Sequence, residues 1–184
     1  MKVTPQSIPD VLLIEPRRFG DHRGFFSEVW KRSALKAAGF EVDFVQDNHS
    51  LSREVGVLRG LHFQRPPSAQ GKLVRVVRGR ILDVAVDIRE GSATYGQAVW
   101  AELSAANWAQ LLVPRGFAHG FVTLTDDCDV LYKVTDYYAP ASEGGLLWND
   151  PALAIDWPAD VTPLINARDA AWPGLADFVS PFAS

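Results

Sequence analysis

The sequence holds a single cysteine, Cys128, among 184 residues. That count excludes an internal disulfide and a cysteine-built zinc site. A reducing, intracellular setting is the expectation that follows. Long apolar runs are also missing. None approaches the ~20 residues a membrane-spanning helix requires, and the N-terminal MKVTPQSIPD lacks the apolar centre of a secretory signal. The chain is therefore expected to be cytoplasmic, with no membrane partner. Charge of either sign is in little excess, 18 Lys and Arg against 22 Asp and Glu, for a net charge of −4. Bulk electrostatics of that kind does not favour nucleic acid. Any bound anion must meet a local cluster of Arg and Lys. Helical periodicity is scarce, and there is no internal repeat, low-complexity tract or convincing linker.

What is present is apolar alternation. A hydrophobic fraction of 47% with 22% charged residues suits a folded chain with one core, so one domain is expected over residues 1–184. From Ile81 to Ile88, Leu82, Val84, Val86 and Ile88 alternate with Asp83, Ala85 and Asp87, which predicts a strand with one buried face. Lys72–Val77 reads as the preceding strand, and Gly79 between them suits a hairpin turn. Val11–Ile14, Phe25–Trp30, Gln97–Leu103, Gln110–Val113, Gly120–Leu124 and Val130–Tyr138 are further strand candidates. One short helix is predicted over Lys31–Ala38, capped by Gly39, and another near Ala167–Trp172. Many short strands divided by Gly, Pro, Asn and Asp predict an all-β sandwich or barrel. The stretch from Asn149 onward reads as a tail packed on it.

Two of the four histidines stand in unusual surroundings. His62 lies in Gly56-Val57-Leu58-Arg59-Gly60-Leu61-His62-Phe63-Gln64, where Arg59 and His62 sit among glycines and apolar residues. Burying an unpaired charge is costly, so such a strand lines a cavity rather than a dry core. His119 lies in Pro114-Arg115-Gly116-Phe117-Ala118-His119, a Pro-x-Gly-x-x-His spacing that resembles the second motif of the cupin superfamily. The resemblance implies a cupin-type jelly roll. Metal-binding cupins carry His-x-His in their first motif. Here that stretch is His62-Phe63-Gln64, which leaves the ligand set incomplete, and no metal site is expected.

A wider, ordered set of segments resembles the dTDP-4-dehydrorhamnose 3,5-epimerase family over nearly the whole chain. It comprises Glu15-Pro16-Arg17-Arg18-Phe19-Gly20-Asp21-His22-Arg23-Gly24-Phe25-Phe26-Ser27-Glu28, Gln46-Asp47-Asn48-His49-Ser50 and the Gly56–Gln64 segment. Gln70-Gly71-Lys72-Leu73-Val74 and Asp83–Arg89 follow. The second half adds Pro114–Phe121, Tyr132-Lys133, Tyr137-Tyr138, Trp148-Asn149-Asp150-Pro151, Ile155-Asp156-Trp157-Pro158 and Arg168-Asp169. The resemblance implies inversion of the two carbons flanking the ketone of dTDP-4-keto-6-deoxy-D-glucose. This needs a base on one face, an acid on the other and a cationic group near the enolate oxygen, and no cofactor.

By the same resemblance His62 is the base, Asp169 the acid that orients it, Tyr132 the proton donor and Lys72 the group near the 4-keto oxygen. Arg23 and Arg59 are implied as phosphate ligands, for which the planar guanidinium fork is suited. Glu28, Gln46, Asp47 and Asn48 match positions around the thymine and sugar ends, and Tyr138 the aromatic that stacks on thymine. Phe19 and Phe26 add apolar walls, while His119, Glu143 and Arg168 match further ligand contacts. Arg168 stands where many members carry Lys, which keeps the charge and changes the hydrogen-bond geometry. The family's N-terminal segment commonly crosses to a second subunit, so a homodimer is implied, with Phe19, Arg23 and Glu28 serving the neighbour. The nearest rival is a mono-epimerase acting at carbon 3 or carbon 5 alone. A sugar-nucleotide binding module and a metal-dependent oxygenase are more distant ones.

Overall fold

Alternation along short segments organises this chain, and strands dominate it. The computed structural model describes residues 1–183; Ser184, the last residue of the expected domain, lies outside the described residues. The first elements are β1 (Lys2–Pro5), β2 (Leu12–Glu15), β3 (Arg18–Asp21), β4 (Gly24–Ser27), helix α1 (Arg32–Ala37) and β5 (Gln46–Ser52). Then come β6 (Leu58–Gln64), β7 (Lys72–Arg78), β8 (Arg80–Asp87), β9 (Arg89–Glu90) and β10 (Ala98–Ser104). The chain continues with β11 (Gln110–Val113), β12 (Phe117–Thr123), β13 (Cys128–Val134), β14 (Glu143–Gly145) and β15 (Phe182–Ala183).

Two antiparallel sheets face one another in a cupin-type jelly roll. One has the order β1-β2-β11-β7-β13-β5 and the other β10-β8-β12-β6-β14. Side chains from both inner faces fill the space between them, among them Val74, Val76, Ile81, Ala85, Leu111, Phe117, Phe121 and Val130. A second apolar layer lies on the outer face of the five-stranded sheet. There Leu61, Phe63, Val84, Val86 and Leu146 are covered by Trp157, Leu175, Phe178 and Phe182 of the C-terminal stretch.

That second layer corrects the reading of Ile81–Ile88. The strand is buried on both faces, not one. Leu82, Val84 and Val86 pack outward beneath the tail, while Ile81 and Ala85 point into the space between the sheets. Asp83 shares their parity and is wholly buried. Nor is Arg78-Gly79-Arg80 a hairpin. Gly79 takes the positive φ of 78° that the turn requires, but β7 and β8 belong to opposite sheets. The turn carries the chain from one wall to the other.

Boundaries differ elsewhere. The expected Phe25–Trp30 strand ends at Ser27, paired only with β3, and Val130–Tyr138 stops at Val134. The predicted C-terminal helix is a single 3₁₀ turn, Asp169–Ala171. β5, reading QDNHSLS, was not expected as a strand because it has almost no apolar residues. It pairs with β13 over its whole length, and its alternate residues Gln46, Asn48 and Ser50 turn toward a polar cavity instead of a core.

Candidate active site

The site begins with an irregularity in β6. Simple alternation would send Arg59 and His62 to opposite faces. Opposite β12 the register runs from His119↔His62 to Phe121↔Arg59, so β6 carries one residue more than its partner. This bulge turns both side chains inward. Its centre is Gly60, with φ 133°, where a Cβ would stand 2.6 Å from Gly120 Cα. Only glycine fits there.

The bulge is tied to the C-terminal stretch. Asp169 is fully buried. Its Oδ2 accepts the Gly60 N–H at 3.2 Å, and its Oδ1 accepts from His62 Nε2 at 2.8 Å. The Asp169 N–H in turn donates to Asn166 Oδ1 at 2.8 Å. Beside His62, Trp172 lies edge-on with ring centroids 6.5 Å apart. It is packed on Gly145, where any Cβ would come within 2.5 Å of the indole. With Nε2–H committed to Asp169, Nδ1 of His62 is the nitrogen left to accept a proton. Burial pulls the imidazole below its ordinary value, and the Asp169 carboxylate pushes against that. The neutral form needed of a base is thereby favoured at neutral pH.

The opposing wall belongs to the six-stranded sheet. Lys72 opens β7 and Tyr132 projects from β13. Burial brings the Lys72 ammonium down to about 8, with Asp83 and Glu143 opposing the shift. Burial also pushes the Tyr132 phenol up, so it keeps its proton at neutral pH. His62 and Tyr132 therefore face a common cavity from two different sheets. One lobe, of about 250 Å³, is lined by Arg59, His62, Lys72, His119, Tyr132 and Asp169 among others. An adjoining lobe of about 310 Å³ shares His62, Lys72, Tyr132 and Glu143 and extends to Gln46, Asn48, Gln64, Gln70 and Tyr138. At the junction Glu143 Oε2 accepts from Arg168 Nη1 at 2.8 Å and from the Tyr138 hydroxyl at 3.4 Å. Arg168 Nε also lies 3.4 Å from Asp169 Oδ1.

The other expected ligand residues are placed elsewhere. Asp47 has the wrong parity on β5. It points away from both lobes and pairs with Lys133 at 2.6 Å. Phe19, Arg23, Phe26 and Glu28 lie on or just after the exposed β3–β4 hairpin, outside both lobes. Arg23 there pairs with Asp21 at 2.6 Å. Sequence reasoning missed Ser50, Gln64, Gln70 and Asn166, which line the lobes, and Asp83, whose Oδ1 accepts from His119 Nε2 at 2.8 Å. The available signal for Asp83 was a carboxylate inside an apolar strand, which alternation assigned to solvent. Among the described residues, no three His, Cys, Asp or Glu side chains gather as a metal cage.

The fold and these two walls define a jelly-roll protein whose cavity sets an imidazole and a phenol on opposite sides. The family model for dTDP-4-dehydrorhamnose 3,5-epimerase matches residues 5–177. A dTDP-4-dehydrorhamnose 3,5-epimerase of Salmonella typhimurium is 55% identical over 94% of each chain. Two solved structures superpose closely. The Bacillus anthracis enzyme of the same name, with TDP and pyrophosphate bound, has a TM-score of 0.90 at 49% identity, covering 95% of this chain and 99% of that one. A Legionella pneumophila 3,5-epimerase in complex with dTDP-4-keto-L-rhamnose gives 0.92 at 45%, covering 97% and 94%. The chain belongs to the dTDP-4-dehydrorhamnose 3,5-epimerase family of isomerases.

Proposed function

We propose that this protein inverts carbons 3 and 5 of dTDP-4-keto-6-deoxy-D-glucose, giving dTDP-4-keto-L-rhamnose for dTDP-L-rhamnose synthesis. The observation that carries the reading is the placement of an imidazole and a phenol on opposing walls of one cavity, where burial favours the neutral form of each. His62 Nδ1 takes the proton from the carbon beside the ketone, and the C–H electron pair moves into an enolate. The Lys72 ammonium stabilises the oxygen that gains charge. Tyr132 then donates its proton to the same carbon from the other side, which inverts it. His62 is left holding a proton and Tyr132 lacking one, and exchange with solvent resets both before the second carbon reacts.

In this reading the lobe around Arg59, His119 and Arg168 takes the sugar and phosphates, because these are the cationic or donor groups there. The lobe around Gln46, Asn48 and Tyr138 takes thymine, with Tyr138 as the stacking ring. Glu143 holds Arg168 and Tyr138 at the junction. The protein works as a single jelly-roll domain in a cytoplasmic homodimer. The β3–β4 hairpin crosses to the second subunit and supplies Phe19, Arg23, Phe26 and Glu28 to its pocket. Supporting this is the exposure of Phe19, Phe25 and Phe26, three large apolar side chains on one short hairpin. Cys128, a buried free thiol, suits a reducing compartment.

The test is NMR of the sugar protons in D₂O, with a ketoreductase to trap the product. Deuterium at both carbons with L-rhamnose trapped is the expected result. Exchange and inversion at one carbon would assign a mono-epimerase instead. A bound nucleotide with no exchange would refute the catalytic reading.

A further inference from the structure

Asp83 is a buried charge that the mechanism above does not use. It shares the inward parity of Ile81 and Ala85 on β8 and is wholly buried. Its Oδ1 takes the His119 hydrogen bond at 2.8 Å, and its Oδ2 is buried with no hydrogen-bond partner. A carboxylate oxygen left empty in a core is costly, and such groups ask for an explanation. Pinning β12 to β8 needs only one oxygen, and the two strands already share a seven-residue ladder.

Among the described residues Lys72 forms no ion pair, yet Asp83 is the strongest attraction acting on its ammonium. Glu143 is the other carboxylate that acts on Lys72, and its charge is already matched by Arg168 at 2.8 Å. The remaining titratable and charged groups around the lobe are Arg59 and His62 on β6, His119 on β12, Tyr132 on β13, and Arg168 and Asp169 of the C-terminal stretch. The one further carboxylate, Asp169, is engaged by His62 at 2.8 Å and by the Gly60 N–H at 3.2 Å. Asp83 is therefore the principal counter-charge of Lys72 and the fixed anchor of His119.

We propose that Asp83 is a positioning residue for the epimerisation: it aims the His119 ring and holds Lys72 as a charged ammonium facing the nascent enolate. This rests on the enolate reading given above. A carboxylate in this place does no chemistry itself. It preorganises two donors at the cavity.

Asp83→Asn tests the idea, since it keeps volume and an acceptor for His119 while removing the charge. The variant should fold and bind dTDP as the parent does. Its kcat for deuterium exchange should fall about ten- to a hundredfold with KM little changed. The alkaline limb of its pH–rate profile should move to lower pH by about one unit or more, because the charge that helps Lys72 keep its proton is gone. Asp83→Glu keeps the charge and should retain the parental alkaline limb. An Asp83→Asn enzyme with parental kcat and an unmoved limb overturns the proposal. So does collapse of the fold in both variants, which would assign Asp83 to the core alone. Absence of exchange in the parent protein would refute the underlying epimerase reading, and is thereby distinguishable from failure of this one.

Discussion

Asp169→Asn is the substitution whose consequence can be worked out most fully. In the parent, one carboxylate serves two donors, His62 Nε2–H and the Gly60 N–H. An asparagine has one accepting oxygen for both. If that oxygen keeps Gly60, the side-chain amide faces His62 as a donor. The imidazole then accepts at Nε2 and carries its hydrogen on Nδ1, the nitrogen that should take the substrate proton. Losing a hydrogen bond to a charged group costs about 1.5–3 kcal/mol. If all of it is felt in the transition state, that is about 10- to 150-fold in rate. The reversed tautomer adds to this, and the expected fall in kcat is about 10²–10⁴-fold. The pH dependence has a definite sign. Asp169 raises the affinity of His62 for its proton against the effect of burial. Without it the midpoint drops, so the acid limb of kcat/KM moves to lower pH. The assay is deuterium exchange at carbons 3 and 5 followed by NMR from pH 5 to 9. A loss under threefold, or an acid limb that moves upward, would refute the account of His62 as a base oriented by Asp169.

Four further expectations follow from the same geometry. Tyr132→Phe should exchange substrate protons while accumulating little inverted product, read by comparing deuterium incorporation with trapped L-rhamnose; equal loss of both would remove Tyr132 from the donor role. Gly60→Ala must place a Cβ against Gly120 at a φ that side chains avoid, and should lower stability by about 2–4 kcal/mol, measured by urea denaturation. Folding stability itself should fall as pH drops below about 6.5, where an unfolded histidine gains a proton that the buried His62 resists. A denaturation midpoint flat from pH 7 to 5 would contradict that sign. Light scattering should give twice the 20.3 kDa chain mass for the proposed dimer, and Phe26→Asp on the exposed hairpin should shift the population toward monomer.

Residue types and local periods carried much of this protein's character. Alternation exposed a β-rich chain, the Arg59 and His62 pair among glycines marked a cavity wall, and the ordered segments pointed to the family. Period two, however, reports which residues share a face, not which face is inside. For β8 both faces are buried because the C-terminal stretch covers the outer one, so Asp83 and Asp87 read as solvent-facing when they are not. β5 escaped notice for the complementary reason: its inward residues meet a polar cavity, and so lack the apolar signature of a core strand. Asp47 fell within a matched segment, yet its parity sends it to the other side of the sheet. The bulge at Gly60 is invisible to any fixed period, since one inserted residue resets the faces that follow it. The sequence by itself determined the kinds of chemistry available: an imidazole, a phenol, an ammonium and guanidinium groups, on a chain that must fold as sheets. Only the tertiary structure decided that His62 and Tyr132 stand on opposing walls, that Asp169 reaches His62 from 107 residues away, and that Asp83 is buried against His119. Those distances arise from sheet packing and chain crossing, which couple residues that no local pattern connects.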